Sequence, residues 1–325
     1  MVLIYPEIEE VTVKPTVLGL DRGPHKLKVD VISNTIYVAN KNSNSILVID
    51  GKSDRLIERI KIEAPHDLII DSESHRMYVL SNCKILVFDT ITYRLIDGLD
   101  PIITESVGDM TMSTNRDFIY VANDFYECVD VVDIQNGELI KEIKTGNKPR
   151  GITTNVARDK IYVANSGSGT LSIIDGSLNK VINTIDFKGK TRWDRFNSPR
   201  YPERLVFSPS TEILYVLCAA YGPIGYDTPG TTPIKMVSGS SDLPLGGNEL
   251  ETTISDLCIK PNSNTVYCVD RYYHRIDAYD TFVNRRFKTT PIDKNARNIS
   301  VNPATNKLYV TVSGIFTNSL FIMEF

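Results

Sequence analysis

Ile36-Tyr37-Val38-Ala39-Asn40 decides the fold, because close copies of this stretch recur along the whole chain of 325 residues. In each copy a tyrosine is followed by Val or Cys. The seven tyrosines are Tyr37, Tyr78, Tyr120, Tyr162, Tyr215, Tyr267 and Tyr309. The steps between them are 41, 42, 42, 53, 52 and 42 residues. A repeat of about 40–45 residues with several short strands per unit is the signature of a β-propeller blade. The sequence therefore predicts an all-β fold of seven blades.

Each unit contains four short segments rich in β-branched and aromatic residues, bounded by Gly, Asn, Asp or Ser, which is typical of strands and hairpins. In the first unit they cover 25–30, 36–40, 46–50 and 56–62. We name these strands a, b, c and d, counted outward from the ring axis. Helical periodicity is not sustained anywhere in the chain. Each blade is therefore predicted to be a four-stranded antiparallel sheet.

The two long steps of the repeat predict insertions at about 188–203, 218–233 and 238–253. In a four-stranded meander the d-to-a and b-to-c connections lie at the same end, so the first two insertions should share one face. The third would lie at the other end if it joins c to d. Binding loops concentrate on the variable edge of a rigid scaffold, which makes the shared face the predicted functional one.

The two chain ends are predicted to complete one blade. The last unit stops after 319–325, which matches strand c of the first unit, and its missing strand d can be supplied by 9–13 and 16–18. This closure removes the open sheet edges that a stack of blades would otherwise expose. Residues 1–325 are therefore predicted to form one domain.

Composition excludes several classes of protein. The formal charge is −4, with 36 Lys plus Arg against 40 Asp plus Glu, which disfavours general nucleic-acid binding. No run of about 18 apolar residues could span a membrane. The first residues show no basic segment followed by an apolar one, so a cytoplasmic location is favoured unless a secretory signal has been removed. The five cysteines lack a C-x-x-C pair, which argues against a zinc site. Whether Cys258 and Cys268, on paired strands, form a disulfide is open.

The Tyr-Val-Ala-Asn boxes at 37–40, 120–123 and 162–165, each followed by c and d strands, resemble the YVTN-type seven-bladed propeller repeat, a WD40-like arrangement. The resemblance covers nearly the whole chain and is weakest in the fifth unit, where strands c and d are expected at 234–237 and 249–254. It implies the fold and little about activity. Members of this family include archaeal surface-layer proteins, periplasmic binding proteins, subunits of redox enzymes and, more distantly, lyases and lactonases.

Two recurring sets of residues are interpreted as scaffold. The aspartates that end strand c are predicted to accept backbone N–H bonds in the c-to-d turn, as in an Asx turn. They are Asp50, Asp89, Asp133, Asp175 and Asp280. The seven repeat tyrosines are predicted to pack between blades, with hydroxyls that need partners when buried.

The residues that head strand a should all point to the mouth of the central channel. They lie 12 positions before each repeat tyrosine and are His25, His66, Gly108, Arg150, Glu203, Ser255 and Arg297. Three alternatives stay open for this channel mouth. His25 and His66 with Asp67 or Asp109 could hold a divalent metal for lyase or hydrolase chemistry. Arg150, Arg297 and Lys26 could bind a carboxylate or phosphate. The third alternative is a water-filled, hydrogen-bonded funnel of mixed charge.

The insertion-bearing face carries residue types that are enriched at protein interfaces. The predicted partner-binding residues are Arg192, Trp193, Arg195, Phe196, Arg200, Tyr201, Tyr221, Tyr226, Tyr272 and Tyr273. The alternative is that these insertions fold over the channel as a lid.

The sequence favours a non-enzymatic scaffold, without a cofactor, that binds a protein or glycan. The alternatives are the metal-dependent enzyme and a structural subunit of a surface layer or particle. The identity of the partner and the oligomeric state are not determined by the sequence.

Overall fold

Seven four-stranded antiparallel sheets form a closed ring, as the sequence predicts. The computed structural model describes residues 9–10, 16–99, 107–187, 200–220, 232–250, 254–281, 285–292, 295–314 and 318–324. Strand a of each blade contacts strand a of the next, which places all seven around one axis. The predicted all-β, seven-bladed architecture is therefore confirmed.

The strand bounds follow the repeat. In blade 1, strands a to d are Pro24–Asp30, Thr35–Asn40, Ser45–Asp50 and Arg55–Lys61, and in blade 2 they are Pro65–Asp71, Arg76–Ser81, Lys84–Asp89 and Leu95–Leu99. In blade 3 they are Val107–Met112, Phe118–Asn123, Cys128–Asp133 and Leu139–Lys144, and in blade 4 Pro149–Asn155, Lys160–Asn165, Thr170–Asp175 and Lys180–Asp186. In blade 5 they are Arg200–Ser208, Ile213–Ala220, Thr232–Ser238 and Pro244–Leu250, and in blade 6 Ile254–Ile259, Thr265–Asp270, Arg275–Asp280 and Arg285–Pro291. In blade 7 they are Ala296–Asn302, Lys307–Ser313, Asn318–Glu324 and Thr16–Gly19. Single 3-10 turns cover Lys41–Ser43 and Val156–Arg158.

The hydrophobic core is divided into layers between neighbouring blades. Strand b of blade 1 is buried at every position, because another blade covers each of its faces. Strand d of the same blade is exposed except at Ile60. One layer joins Tyr37 and Val48 of blade 1 to Leu68 and Val79 of blade 2. Each blade therefore has two buried faces in its inner strands, which explains why strands b and c are nearly continuously apolar.

The repeat tyrosines pack between blades, and those of blades 3, 4, 5 and 7 also reach the c-to-d turn of the next blade. Tyr120 in blade 3 donates to the Asn179 side chain of blade 4 over 2.6 Å. Tyr215 in blade 5 lies 3.0 Å from the Thr281 hydroxyl of blade 6. Tyr309 in blade 7 reaches Gly51 of blade 1. The predicted inter-blade role of these tyrosines is confirmed, and it continues across the junction of the two chain ends.

The ring closes through the N-terminal strand. Thr16–Gly19 pairs antiparallel with Asn318–Glu324 and becomes strand d of blade 7. Part of the prediction is wrong, because Glu9–Glu10 does not belong to this strand. It pairs in parallel with Lys288 and Thr289 and adds a fifth strand to the outer edge of blade 6.

Blade 5 differs from the prediction in its outer half. Strand c covers Thr232–Ser238 and strand d covers Pro244–Leu250, so the expected third insertion at 238–253 is, up to Leu250, an ordinary c-to-d turn followed by strand d. The expected strand d at 249–254 is wrong, because Ile254 begins strand a of blade 6. Residues 188–199 and 221–231 lie outside the described residues.

Candidate functional site at the channel mouth

Strand a carries a β-bulge at its head in all seven blades. We call the ring formed by these heads the channel mouth, and the face that carries the d-to-a and b-to-c connections the loop face. The a-to-b register shifts between Pro24 and Lys26, Pro65 and Asp67, Val107 and Met110, Pro149 and Ile152, Pro202 and Arg204, Ile254 and Asp256, and Ala296 and Ile299. A bulge re-aims the local side chains, and bulges are common at the rims of barrels and beside functional sites. Because the bulge occurs at the same place in every blade, it is a regular feature of this fold.

An ion-pair network crosses the mouth. Nζ of Lys26 lies 2.5 Å from Oδ1 of Asp109, and the Lys26 side chain is 8% exposed. NH1 of Arg204 lies 3.6 Å from Oδ2 of the same aspartate. Burial alone would raise the pKa of Asp109, but the charges of Lys26 and Arg204 outweigh it and hold this pKa well below its usual range. Asp109 therefore stays ionised and bridges two cations.

Asp67 is almost fully buried and is satisfied by backbone groups. Its two carboxylate oxygens accept N–H bonds from Leu68, over 2.9 Å, and Met110, over 2.8 Å. Asp256 likewise accepts an N–H bond from Ile299 over 3.1 Å. These carboxylates join neighbouring blades.

His25 and His66 contact each other edge to face, with ring centroids 4.9 Å apart. Burial, His66 and the positive charge of Lys26 lower the pKa of His25 to about 3. Burial also lowers the pKa of His66, although Asp67 opposes the shift. Both imidazoles are therefore uncharged at neutral pH and present ring N–H groups and lone pairs rather than charge.

The proposed metal site lacks a third donor in this arrangement. Asp67 is held by backbone amides and Asp109 by Lys26 and Arg204. Within the described ranges no group of three His, Cys, Asp or Glu side chains is placed to hold a metal ion. The described donors at the mouth therefore do not form a site for a divalent cation.

The remaining strand-a heads form two different sectors. Arg150 lies 3.7 Å from a Glu203 carboxylate oxygen. Gly108 has no room for a side chain, because a Cβ there would overlap the carbonyl oxygen of Arg150. Arg297 is exposed, and the Ser255 hydroxyl donates to its carbonyl oxygen over 3.1 Å. The sector of blades 3 to 5 is therefore closely packed and ion-paired, whereas Arg297 has no carboxylate partner among the described residues.

Two further cations of the mouth are not among the site residues predicted from the sequence. Lys41 and Arg271 each begin a b-to-c connection, four residues after a repeat tyrosine. Because strands a and b are antiparallel, this position lies beside the head of strand a. The constant interval from the tyrosine could have identified both residues.

Two exposed aromatic pairs stand on the loop face. Phe125 and Tyr126, in the b-to-c connection of blade 3, have ring centroids 5.0 Å apart. Tyr272 and Tyr273 form a perpendicular pair in the same connection of blade 6, with centroids 4.9 Å apart. The Arg275 guanidinium lies over the Tyr273 ring, 4.6 Å from its centroid.

The other predicted partner-binding residues are only partly described. Tyr201 is half-buried at the start of strand a in blade 5, and of Arg200 only the backbone is described. The residues outside the described ranges are Arg192, Trp193, Arg195, Phe196, Tyr221 and Tyr226.

The aspartates that end strand c serve the turns. Asp175 accepts N–H bonds from Ser177 and Leu178 over 3.0 and 2.9 Å, and the same arrangement occurs at Asp50, Asp89 and Asp133. The Asx-turn interpretation is confirmed at these four positions.

Cys258 and Cys268 are both free thiols. Cys258 packs in the layer between blades 6 and 7, and Cys268 in the layer between blades 5 and 6. The two side chains therefore point to opposite faces of one sheet and cannot form a disulfide.

The described part of the chain includes no helix with the length and apolar character needed to cross a bilayer.

Comparison with known proteins supports the fold and leaves the activity open. The "uncharacterized protein YncE" of Salmonella typhi and that of Salmonella typhimurium are each 25% identical to this chain over 200 residues, which is 59% of this chain and 53% of theirs. The chain thus spans about half the length of these curated relatives. No family model matches, so membership of the YVTN-type family stays a prediction.

Two solved structures share the architecture. The hydrazine synthase of Kuenenia stuttgartiensis is 14% identical, with a TM-score of 0.75 over 95% of this chain and 97% of that one. The β-propeller domain of Cps50 (Swd1) from Myceliophteria thermophila is 12% identical, with a TM-score of 0.74 over 95% of this chain and all of that domain. At these identities the likeness establishes a fold and no activity. This chain is a seven-bladed β-propeller.

Proposed function

We propose that this propeller is a non-enzymatic scaffold that binds a protein partner through its loop face. The observation that carries this proposal is the pair of aromatic contacts, Phe125 with Tyr126 and Tyr272 with Tyr273. These side chains are 43–66% exposed. Aromatic residues are enriched in interface hot spots, and each has few rotatable bonds to immobilise on binding.

The opposite face, which carries the a-to-b and c-to-d turns, has a different composition. Among the described residues, its large exposed apolar side chains are aliphatic, such as Ile32 at 74%, Leu178 at 62% and Val156 at 62% exposure. Leu and Val are under-represented among hot spots. The contrast in composition supports the loop face as the binding face.

The aromatic pairs are also held in place before binding. Tyr273 is fixed by Tyr272 on one side and by the Arg275 guanidinium on its ring face. Asp270 accepts the backbone N–H groups of both tyrosines, over 3.1 and 3.0 Å, which orders this connection. A preordered surface loses less conformational entropy when a partner binds.

Capture experiments test this proposal. The intact protein is immobilised and compared with a Tyr272→Ser, Tyr273→Ser variant and a Phe125→Ser, Tyr126→Ser variant. An Ile32→Ser, Val156→Ser variant is the matched control on the opposite face. We expect each loop-face variant to lose a partner that the wild type and the control retain, with unchanged melting temperatures. Equal retention by all the variants, or loss only in the control, would overturn the proposal.

A second pair of substitutions lies in the connection between strand d of blade 4 and strand a of blade 5, outside the described residues. In the proposed function Trp193→Ala with Arg195→Ala also abolishes capture without lowering the melting temperature. If capture and melting temperature fall together, the segment is structural. Binding of a glycan panel instead of a protein would assign the same face to a carbohydrate ligand and contradict the protein partner.

A further inference from the structure

Five basic or imidazole side chains belong to the strand-a heads, or to the b-to-c connections beside them, in four consecutive blades around the channel mouth. They are Arg271 of blade 6, Arg297 of blade 7, Lys41 and His25 of blade 1, and His66 of blade 2. We call this set the basic arc. It spans the junction at which the C-terminal blade meets the first blade.

Backbone contacts place the two arginines together. Asp270 pairs with Ile254 at the end of the a–b ladder, so Arg271 leaves strand b beside the head of strand a. The Ser255 hydroxyl at that head donates to the carbonyl oxygen of Arg297 in the next blade. Burial and the charge of Arg271 lower the pKa of Arg297, as expected for two neighbouring cations.

Lys41 is held beside the histidine pair. Asn40 pairs with Pro24, and the N–H of Lys41 donates to the carbonyl oxygen of Gly23 over 2.9 Å. The lysine therefore lies close to His25, the residue after Pro24. Its charge lowers the pKa of both His25 and His66.

Among the described residues, the cations of the arc differ from the other cations of the mouth in lacking an acidic partner. Lys26, Arg150 and Arg204 each pair with a carboxylate. In the described parts of the chain, Arg271, Arg297 and Lys41 have no ion pair. Like charges brought together without a counter-charge repel one another, so the arrangement stabilises the fold less than a paired one would.

An oxyanion bound at the arc would supply the counter-charge that its cations lack. It would also act on the His25 and His66 rings, because both lie within the electrostatic reach of Lys41.

We propose that the basic arc binds a small oxyanion, a carboxylate or a phosphate. Guanidinium groups bind both planar carboxylates and phosphates through paired N–H donors, and Lys41 adds a point charge. Asp67, Asp109 and Asp256 also lie at the mouth, where they repel an extended polyanion. The ligand is therefore a small anion or a single acidic group. This site goes beyond the proposed partner surface and does not depend on it.

Histidine NMR of the intact protein tests the site directly, because the chain has only four histidines. Inorganic phosphate and succinate are titrated separately at constant ionic strength, with chloride as the reference anion. We expect saturable shifts of the His25 and His66 ring signals. His75 lies in an a-to-b turn on the opposite face and should not move. A preference for one anion distinguishes phosphate from carboxylate.

Substitutions then assign the binding groups. Arg297→Gln and Arg271→Gln should each weaken anion binding at least tenfold, with unchanged melting temperatures. Arg158→Gln is the matched control, because this arginine pairs with Glu212 on the opposite face. The proposal is overturned if neither anion shifts His66 beyond chloride up to about 20 mM, a range that detects millimolar dissociation constants. It is also overturned if Arg158→Gln weakens binding as much as the arc variants do.

Discussion

Replacing Asp109 by alanine should destabilise the propeller by leaving two cations at the mouth without their shared counter-charge. Lys26 would keep only Asp67, 4.0 Å away, whose oxygens already accept backbone N–H bonds. Removing one partner of a buried ion pair costs about 3–5 kcal/mol. Because the Asp109 and Arg204 side chains are 22% and 29% exposed, water reaches part of the network. We therefore expect the lower end, about 3 kcal/mol.

Calorimetry and urea unfolding at pH 7 measure this loss. An unfolding entropy of about 2.1 cal/mol/K per residue gives about 0.7 kcal/mol/K for this chain, so 3 kcal/mol lowers the melting temperature by about 4 °C. Asp97→Ala, in the exposed strand d of blade 2, is the control and should change the free energy of unfolding by less than about 0.5 kcal/mol. Asp109→Leu combined with Lys26→Met should recover part of the loss, because no buried Lys26 charge is left unpaired.

The stability difference between wild type and Asp109→Ala should depend on pH in a defined direction. Because the folded state lowers the pKa of Asp109, its stabilisation is complete above the unfolded value of about 3.9 and is lost as the pH falls through the folded value. The difference between wild type and Asp109→Ala should therefore be constant from pH 7 to about pH 4.5 and narrow only in stronger acid. A difference below about 0.5 kcal/mol at pH 7 would refute the bridging role.

Three further predictions follow from buried and turn residues. The pKa of His25 is lowered to about 3 by burial and by His66, Lys26, Arg204 and Lys41, so the unfolded chain takes up a proton at acid pH that the folded one does not. The free energy of unfolding of the wild type should fall between about pH 6.5 and pH 4.5. In urea unfolding, the fall should be smaller in His25→Phe by an amount of order 2 kcal/mol. The same fall in both proteins would contradict the buried neutral imidazole. Asp175→Ala should cost about 1 kcal/mol by removing three turn hydrogen bonds, two from backbone N–H groups and one from the Ser177 hydroxyl, and Asp175→Asn should cost less; equal losses would point to charge instead. All five cysteines should react with a thiol reagent in denaturant without prior reduction, whereas three reactive thiols would indicate a disulfide.

The repeat, and with it the fold, is easier to predict from the sequence than the candidate site is. The constant 12-residue interval before each repeat tyrosine predicts strands a and b, because the packing around the axis fixes their length. The tyrosine and aspartate roles follow from the same repetition. Blade 5 escapes the prediction because Pro244 to Leu250 contains two glycines and lacks the β-branched pattern of the other d strands. This segment is a strand because it pairs with strand c along its whole length.

The charge pairing at the mouth depends on contacts between distant parts of the chain. Lys26 and Asp109 are 83 positions apart, and nothing in either local sequence indicates that they meet. Arg150 and Lys26 are therefore predicted as anion ligands although both are ion-paired, whereas the unpaired Arg271 and Lys41 lie in connections that the strand pattern does not cover. Only the closed ring shows which cations remain without a counter-charge.

Ring closure is tested most directly by a disulfide across the terminal strands. Val17 and Phe321 are direct partners in the ladder that joins the two chain ends, and Val17 is 55% exposed. Cα atoms of such partners lie within the range that a disulfide can bridge. Val17→Cys with Phe321→Cys should form an intramolecular cross-link on oxidation, identified by peptide mass spectrometry, whereas Val17→Cys with Phe287→Cys in blade 6 should not. The opposite result, or cross-links only between molecules, would show that the first and last blades do not meet and that the basic arc is not assembled.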